Sequence, residues 1–263
     1  MVYDFHNDAE RYFNYQYLHS KEFIVPVAQK YLDFNQKLRI LEIGSAEAGV
    51  LKAFTELGQT CVGIEISEHR VSLAKNLMKT EFESGLVSFF ASDVFDINVE
   101  QVGGKFDFII LKDVIEHIHG REKVYNKFKE FLKPEGYVFI AMPPWCMPFG
   151  GHQQMLQNKL YSKFPYFHLL PMFLTKQLLK WDKEPNIDFW EDIKTTRISI
   201  NGFKKEAALN GFATTLAEYW FINPNYKFKF GLKPRRLSTL IGIIPWIRDF
   251  FTTTVYFLIK QKN

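Results

Sequence analysis

Between Leu38 and Pro143 the chain alternates short, nearly unbroken apolar runs with longer stretches whose apolar residues recur at helical spacing. The short runs are LRILEIG (38–44), TCVGIEI (60–66), LVSFFASD (86–93), KFDFIILKD (105–113) and GYVFIAMP (136–143). Their length reads as strands, and their weak polar alternation reads as burial on both faces. The stretches 49–57, 68–82 and 121–132 read as helices, the last stopped by Pro134 and Gly136. Strands alternating with helices predict an α/β fold, a doubly wound parallel sheet with helices on both faces.

The rhythm breaks at PPWCMPFGGHQQ (143–154), and a stretch rich in Pro, Phe, Tyr and Trp follows. Order returns with a helix at SINGFKKEAALNGF (199–212) and strands at ATTLAEYWFI (213–222) and TTTVYFLIK (252–260). The expected organisation is a helical lead-in over 1–37 and one domain over 38–263. An insertion at about 144–200 leaves the carboxyl edge of the sheet.

Composition narrows the classes. The chain has 263 residues and is 47% hydrophobic, enough for one large domain with a full core. A net charge of +4, with no interleaving of basic and aromatic residues, argues against a nucleic-acid partner. Cys61 and Cys146 form neither a disulfide framework nor a Cys/His cluster, so no metal site and a reducing, cytoplasmic setting are expected. The opening MVYDFHNDAERYF is polar and aromatic, unlike a secretory leader. The apolar region 237–260 is broken by Pro245, Arg248 and Asp249 and does not read as a spanning helix. With the basic KPRRLS (233–238) before it, it permits peripheral contact with an anionic membrane.

Ligands of open α/β sheets sit outside the carboxyl ends of the strands. There the chain places Glu42 and Gly44, then Glu65, then Asp93, then Asp113, Glu116 and His117. Glu65 follows Gly44 by 21 residues, close to the spacing of an acid that accepts ribose hydroxyls. The turn in RILEIGSAEAGVLKAF (39–54) keeps Gly44 and Gly49 but has Ala46 and Ala48 where further glycines are expected. Ala46 obstructs the close backbone approach that a pyrophosphate needs. An adenosine ligand without phosphate, such as S-adenosylmethionine, needs that approach less.

In order, ILEIGSAEAG, GIEIS, ASDVFD, FDFIILKDVIEHI and LKPEGYVFIAMP resemble the motifs of class I S-adenosylmethionine-dependent methyltransferases, especially the subgroup acting on small molecules. The resemblance implies a mostly parallel, seven-stranded, Rossmann-like sheet whose last strand is antiparallel. It implies that Glu42 and Gly44 line the methionine part of the cofactor and that Glu65 holds the ribose. Asp93 then faces the adenine amino group with Val94 beside it, and Lys112 and Asp113 lie near the methionine end. Ala46, Gly49 and Ile66 complete the candidate cofactor set.

Methyl transfer needs alignment, exclusion of water and, for an oxygen or nitrogen acceptor, a base. His152, after Gly150-Gly151, and His117 are the catalytic candidates; the glycine pair is expected to let a ligand approach. Glu116 is a further candidate base, and His119 reads as solvated. Trp145, Phe149, Tyr161, Phe164, Tyr166 and Phe167 of the insertion are expected to form an aromatic lid, or else a local core. The expected acceptor is a small or lipid-linked molecule; the Gly-Gly-His loop and the basic stretch incline the reading toward a glycan precursor. Two other readings stay open. One is an NAD-dependent oxidoreductase, which Ala46 disfavours. The other is a non-catalytic nucleotide-binding module, which the altered turn favours.

Overall fold

The computed structural model describes residues 8–185 and 187–262, so the first seven residues of the expected lead-in lie outside the described residues. Eight strands form one sheet in the order β3-β2-β1-β4-β5-β8-β6-β7. They are β1 (Arg39–Ile43), β2 (Thr60–Glu65), β3 (Val87–Ala91), β4 (Phe106–Lys112), β5 (Leu132–Met142), β6 (Phe212–Ile222), β7 (Arg235–Arg236) and β8 (Thr254–Gln261). Strands β1 to β5 pair in parallel, and β8 runs antiparallel between β5 and β6. This is the expected doubly wound sheet with one addition. The eighth strand, β7, is two residues of the basic stretch paired with the edge of β6, where Arg236 meets Glu218 at 2.7 Å.

Helices cover both faces. Before the sheet lies α1 (Ala9–His19), capped by Asp8, which accepts from the Arg11 amide at 2.9 Å. It runs through one wide π-type turn, Ser20–Ile24, into α2 (Val25–Ala28). Along the strands follow α3 (Gly49–Thr55), α4 (Glu68–Leu77), α5 (Lys79–Glu83) and α6 (Glu122–Phe131). The insertion carries α7 (Lys159–Lys163), α8 (Met172–Trp181) and α9 (Ile187–Thr195). After it come α10 (Ile200–Leu209), α11 (Asn225–Phe230), α12 (Thr239–Gly242) and α13 (Ile247–Phe251).

The alternation of side chains along a strand divides the core in two. Leu41, Ile43, Ile109 and Leu111 pack on one face with Phe128 of α6 and Phe203 of α10. Ile40, Phe108 and Ile110 pack on the other with Phe13 of α1 and Phe54 of α3. Glu42 and Lys112 share the parity of this second face, so the same alternation turns both toward α1. The insertion has a small core of its own, with Leu156, Phe167, Leu179, Trp190 and Ile193. Its ends close on each other where the Trp145 amide donates to the Ile198 carbonyl at 2.8 Å.

Helix α1 lies hard against the turn after β1. A Cβ on Gly49 would stand 2.2 Å from the carbonyl oxygen of Phe13 and 2.8 Å from Cβ of Gln16. Gly49→Ala is therefore expected to reduce the unfolding free energy by about 1–3 kcal/mol in urea titrations, as overpacking does. Trypsin should also cut α1 faster in the variant. An unchanged midpoint would mean that α1 does not rest on this turn.

Candidate functional site

The loops at the carboxyl edge of the sheet bring most of the candidate residues together. The turn after β1 is tied to β2 by the amides of Gly44 and Ser45, which donate to the Ile64 carbonyl at 2.8 and 3.1 Å. Gly44 has φ +74°, and a Cβ there would meet Val114 at 2.6 Å. Ala46 and Ala48 hold φ +48° and +67°, the left-handed conformation suited to glycine, at about 1–2 kcal/mol each. The glycine-like backbone thus survives without the glycines. Both oxygens of Glu65 are engaged: Ala46 donates its amide to one at 2.9 Å and Ser67 to the other at 3.1 Å. These bonds fix the carboxylate at the end of β2, against the turn.

A cleft between this turn and α1 is lined by Tyr12, Gln16, Glu42, Ser45, Glu47 and Lys112. The ammonium of Lys112 is buried and lies 2.5 Å from the Asp113 carboxylate. Burial opposes its charge, but Asp113, Tyr12 and Glu42 outweigh that and raise its pKa. Asp113, at φ +55°, is held below its ordinary range because Lys112 outweighs its own desolvation. Glu42 is the opposite case: burial lifts its pKa well above the usual carboxylate range, against the pull of Lys112. Among the described residues, Oε2 of Glu42, Oγ of Ser45 and Oε2 of Glu47 are buried without a hydrogen-bond partner. Buried polar atoms in that state are costly, and a polar ligand that hydrogen-bonds to them would satisfy them.

Further along the edge, Asp93 accepts from the Phe95 amide at 2.9 Å through one oxygen. Val94 turns its side chain into the core. Ile66 is 72% exposed, an apolar surface directly after Glu65.

A second cluster lies after β4. The rings of His117 and His152 stand 4.9 Å apart. Glu116 and His152 line one small pocket with Pro143, Trp145, Arg197 and Ile198. Among the described residues, Oε2 of Glu116 and Nδ1 of His152 are buried without hydrogen-bond partners. Burial and the Asp113 charge push Glu116 up to about 8. Burial and His117 push His152 down to about 4. At neutral pH the pocket therefore holds a neutral carboxylic acid beside a neutral imidazole. His117 is also lowered, by burial. His119 lies apart, exposed, 2.7 Å from Asp192.

The glycine pair before His152 has a different role from the expected one. A Cβ on Gly150 would stand 2.2 Å from the Trp145 carbonyl oxygen, and one on Gly151 would stand 2.0 Å from Cβ of His168. The pair lets the loop fold on itself, with His168 2.6 Å from the same Trp145 carbonyl. Tyr12, Gln16, Ser45, Glu47 and Arg197 reach the two clefts without having been foreseen, whereas Trp145, expected in an aromatic lid, lines the second pocket. Ser45 and Glu47 lay within the quoted turn; nothing in local periodicity marks the others.

The sequence profile of the family described as a methyltransferase domain matches residues 34–201. The chain belongs to this methyltransferase family. A ubiquinone biosynthesis O-methyltransferase of Chelativorans sp. is 31% identical over 104 residues, 40% of each chain. Another of that name, from Bartonella tribocorum, is 27% identical over 157 residues, covering 54% of this chain and 60% of the relative. The matched stretch thus spans about half the length of these curated relatives. Among solved structures, the plantazolicin methyltransferase BpumL in complex with SAH superposes with a TM-score of 0.56 at 12% identity, covering 99% of this chain and 88% of that one. That likeness concerns the fold.

A carboxyl group that is protonated more readily in the fold than in the unfolded chain subtracts stability as pH rises from its ordinary value, 4.5, to its folded value, about 8. Relative to Glu116→Gln, the native chain is expected to lose a few kcal/mol of unfolding free energy between about pH 5 and pH 8. Urea titrations across that range measure it. Parallel profiles would mean that Glu116 titrates as an ordinary carboxylate.

Proposed function

We propose that this protein transfers a methyl group from S-adenosylmethionine to a small or lipid-linked acceptor seated beside Glu116 and His152. The observation that carries the reading is the turn after β1. It keeps a glycine-like backbone, orients Glu65 with two amides, and leaves unpartnered buried polar atoms on Glu42, Ser45 and Glu47 among the described residues. That polar lining fits a ligand with an ammonium and hydroxyl groups.

When bound, the sulfonium supplies an electrophilic methyl and a neutral thioether leaving group. Glu42 and Asp113 would face the ammonium of its methionine end, and Lys112 the carboxylate. Glu65 would accept from the ribose hydroxyls. Asp93 would accept from the adenine amino group through the oxygen that Phe95 leaves, and Ile66 would cover the ring. Val94 would contribute its backbone.

His152 would take the acceptor's proton on its unpartnered Nδ1. Neutral Glu116 would donate a hydrogen bond to the acceptor oxygen, and His117 would orient His152 by ring contact. The walls of that pocket include Pro143, Trp145 and Ile198, with Arg197 as its cation. Such walls favour an apolar acceptor, its hydroxyl alone entering the small pocket, over the glycan precursor inferred from the loop. The shared name of the two curated relatives supports an oxygen acceptor.

Calorimetric titration with S-adenosylhomocysteine tests the cofactor reading. The expected result is micromolar binding, weakened about tenfold or more in Glu65→Ala through loss of charge-assisted hydrogen bonds, with no binding of NADH. No binding to the native chain would favour a non-catalytic module, and binding of NADH instead would favour an oxidoreductase.

A further inference from the structure

The carboxyl edge of the sheet carries a rim of apolar side chains that the fold does not cover. They come from the segment between β7 and β8. Leu240, Ile243 and Trp246 are 76%, 68% and 77% exposed, and Ile244, Ile247 and Phe251 beside them are each more than 40% exposed. Apolar patches of this kind on a chain's surface mark sites of association.

The segment is built to hold them outward. Trp246 has φ +76° and ψ −50°, and the Ile247 amide donates to the Pro245 carbonyl at 3.0 Å across it. This is the strained form of the γ-turn, costly for a residue with a side chain. Beneath the turn, polar anchors fix the segment. Asp249 accepts from the Ile200 amide at 3.0 Å, and the Arg248 guanidinium donates to the Gly242 carbonyl at 3.2 Å and to the Asn201 side chain. Tyr166 of the insertion donates its hydroxyl to the Phe250 carbonyl at 3.3 Å. The rim therefore adjoins the insertion. Val255, just after it, pairs with Met142, the residue before the Pro143 that lines the Glu116–His152 pocket.

Charge decides the occupant. From Gly231 to Ile247 the chain contains Lys233, Arg235 and Arg236 and no acid. All three basic residues are exposed, but Arg236 is paired with Glu218 at 2.7 Å, so Lys233 and Arg235 supply the charge. Exposed Trp and Ile flanked by cations match a bilayer surface carrying anionic lipid, where an indole sits at headgroup depth and each cation adds attraction. A second copy of the chain fits worse, because a two-fold contact would set the same cations against each other. Among the described residues no helix is long and apolar enough to cross a membrane.

We propose that the rim of Leu240–Phe251, with Lys233 and Arg235, seats the protein on an anionic membrane surface. The pocket of Glu116 and His152 then lies next to the lipid, where an acceptor with an apolar tail would dwell. That last placement rests on the methyltransferase reading; the membrane contact does not.

The test is co-sedimentation of the full chain with phosphatidylcholine–phosphatidylglycerol vesicles and with phosphatidylcholine alone. Binding to the anionic vesicles is expected to exceed that to the neutral ones and to weaken as salt rises. Ile243→Ala/Trp246→Ala and Lys233→Glu/Arg235→Glu should each weaken it about tenfold or more. All four positions are exposed, so both variants should keep the native melting temperature. They should also bind S-adenosylhomocysteine as the native chain does, which separates failure of the rim from failure of the cofactor reading. No binding to anionic vesicles, equal binding to neutral ones, or equal binding by the variants overturns the proposal. So does a dimer in analytical ultracentrifugation that Ile243→Ala/Trp246→Ala converts to monomer, since the rim would then belong to a second copy.

Discussion

The ammonium of Lys112, buried at the end of β4, is what lets acids gather at the carboxyl edge of this sheet. Glu42 lies on the neighbouring strand with the same parity, and Asp113 follows directly in the chain. Two carboxyl groups packed there without a cation would each face the full penalty of desolvation. Removing one partner from a buried pair typically costs about 3–5 kcal/mol, because the other charge stays behind. The balance is unequal. Lys112 keeps Asp113 ionised but does not keep Glu42 in the usual carboxylate range. A zwitterionic group, its ammonium against the acids and its carboxylate near the lysine, would complete this arrangement without adding net charge.

The arrangement also needs a roof, and α1 provides it. Gly49 lets the carbonyl of Phe13 come close, which brings Tyr12 and Gln16 over the turn and over Lys112. Ala46 and Ala48 accept left-handed backbone angles because the bonds from Gly44 and Ser45 to Ile64, and from Ala46 to Glu65, dictate the path of the chain. Local preference loses to a network that over-determines the turn. Strain of this sort persists where the turn is held for a purpose beyond folding.

The alternation of apolar runs made the doubly wound sheet legible, because doubly buried strands leave a continuous hydrophobic signature. The eighth strand was not legible. Two basic residues carry no periodicity, and only pairing with β6 makes them a strand. The acids at the strand ends were readable because the fold class itself assigns them an edge. Tyr12 and Gln16 were hidden, since no local pattern states which helix will lie across which turn. Gly150 and Gly151 were misread for a related reason. A glycine pair signals a close approach, but sequence does not say whether a ligand or the chain's own Trp145 and His168 will make it. The aromatic residues of the insertion likewise divide between uses that composition cannot separate. Phe167 and Trp190 sit in a local core, while Trp145 also lines the pocket of Glu116 and His152.

That pocket has a property that no single residue supplies. Desolvation drives an acid and a base in opposite directions, and here it leaves both uncharged near neutrality. A neutral carboxylic acid can donate and a neutral imidazole can accept, so the pair offers complementary hydrogen bonding with no buried net charge. Apolar walls make such a pair tolerable and also exclude water, which would compete for the acceptor's hydroxyl. A hydroxyl reaching into the pocket would satisfy both orphaned atoms at once. A charged acceptor would instead have to pay for its own desolvation, and Arg197 would favour only an anion. A neutral, amphipathic acceptor, as proposed, would suit these electrostatics before any specific contact is counted.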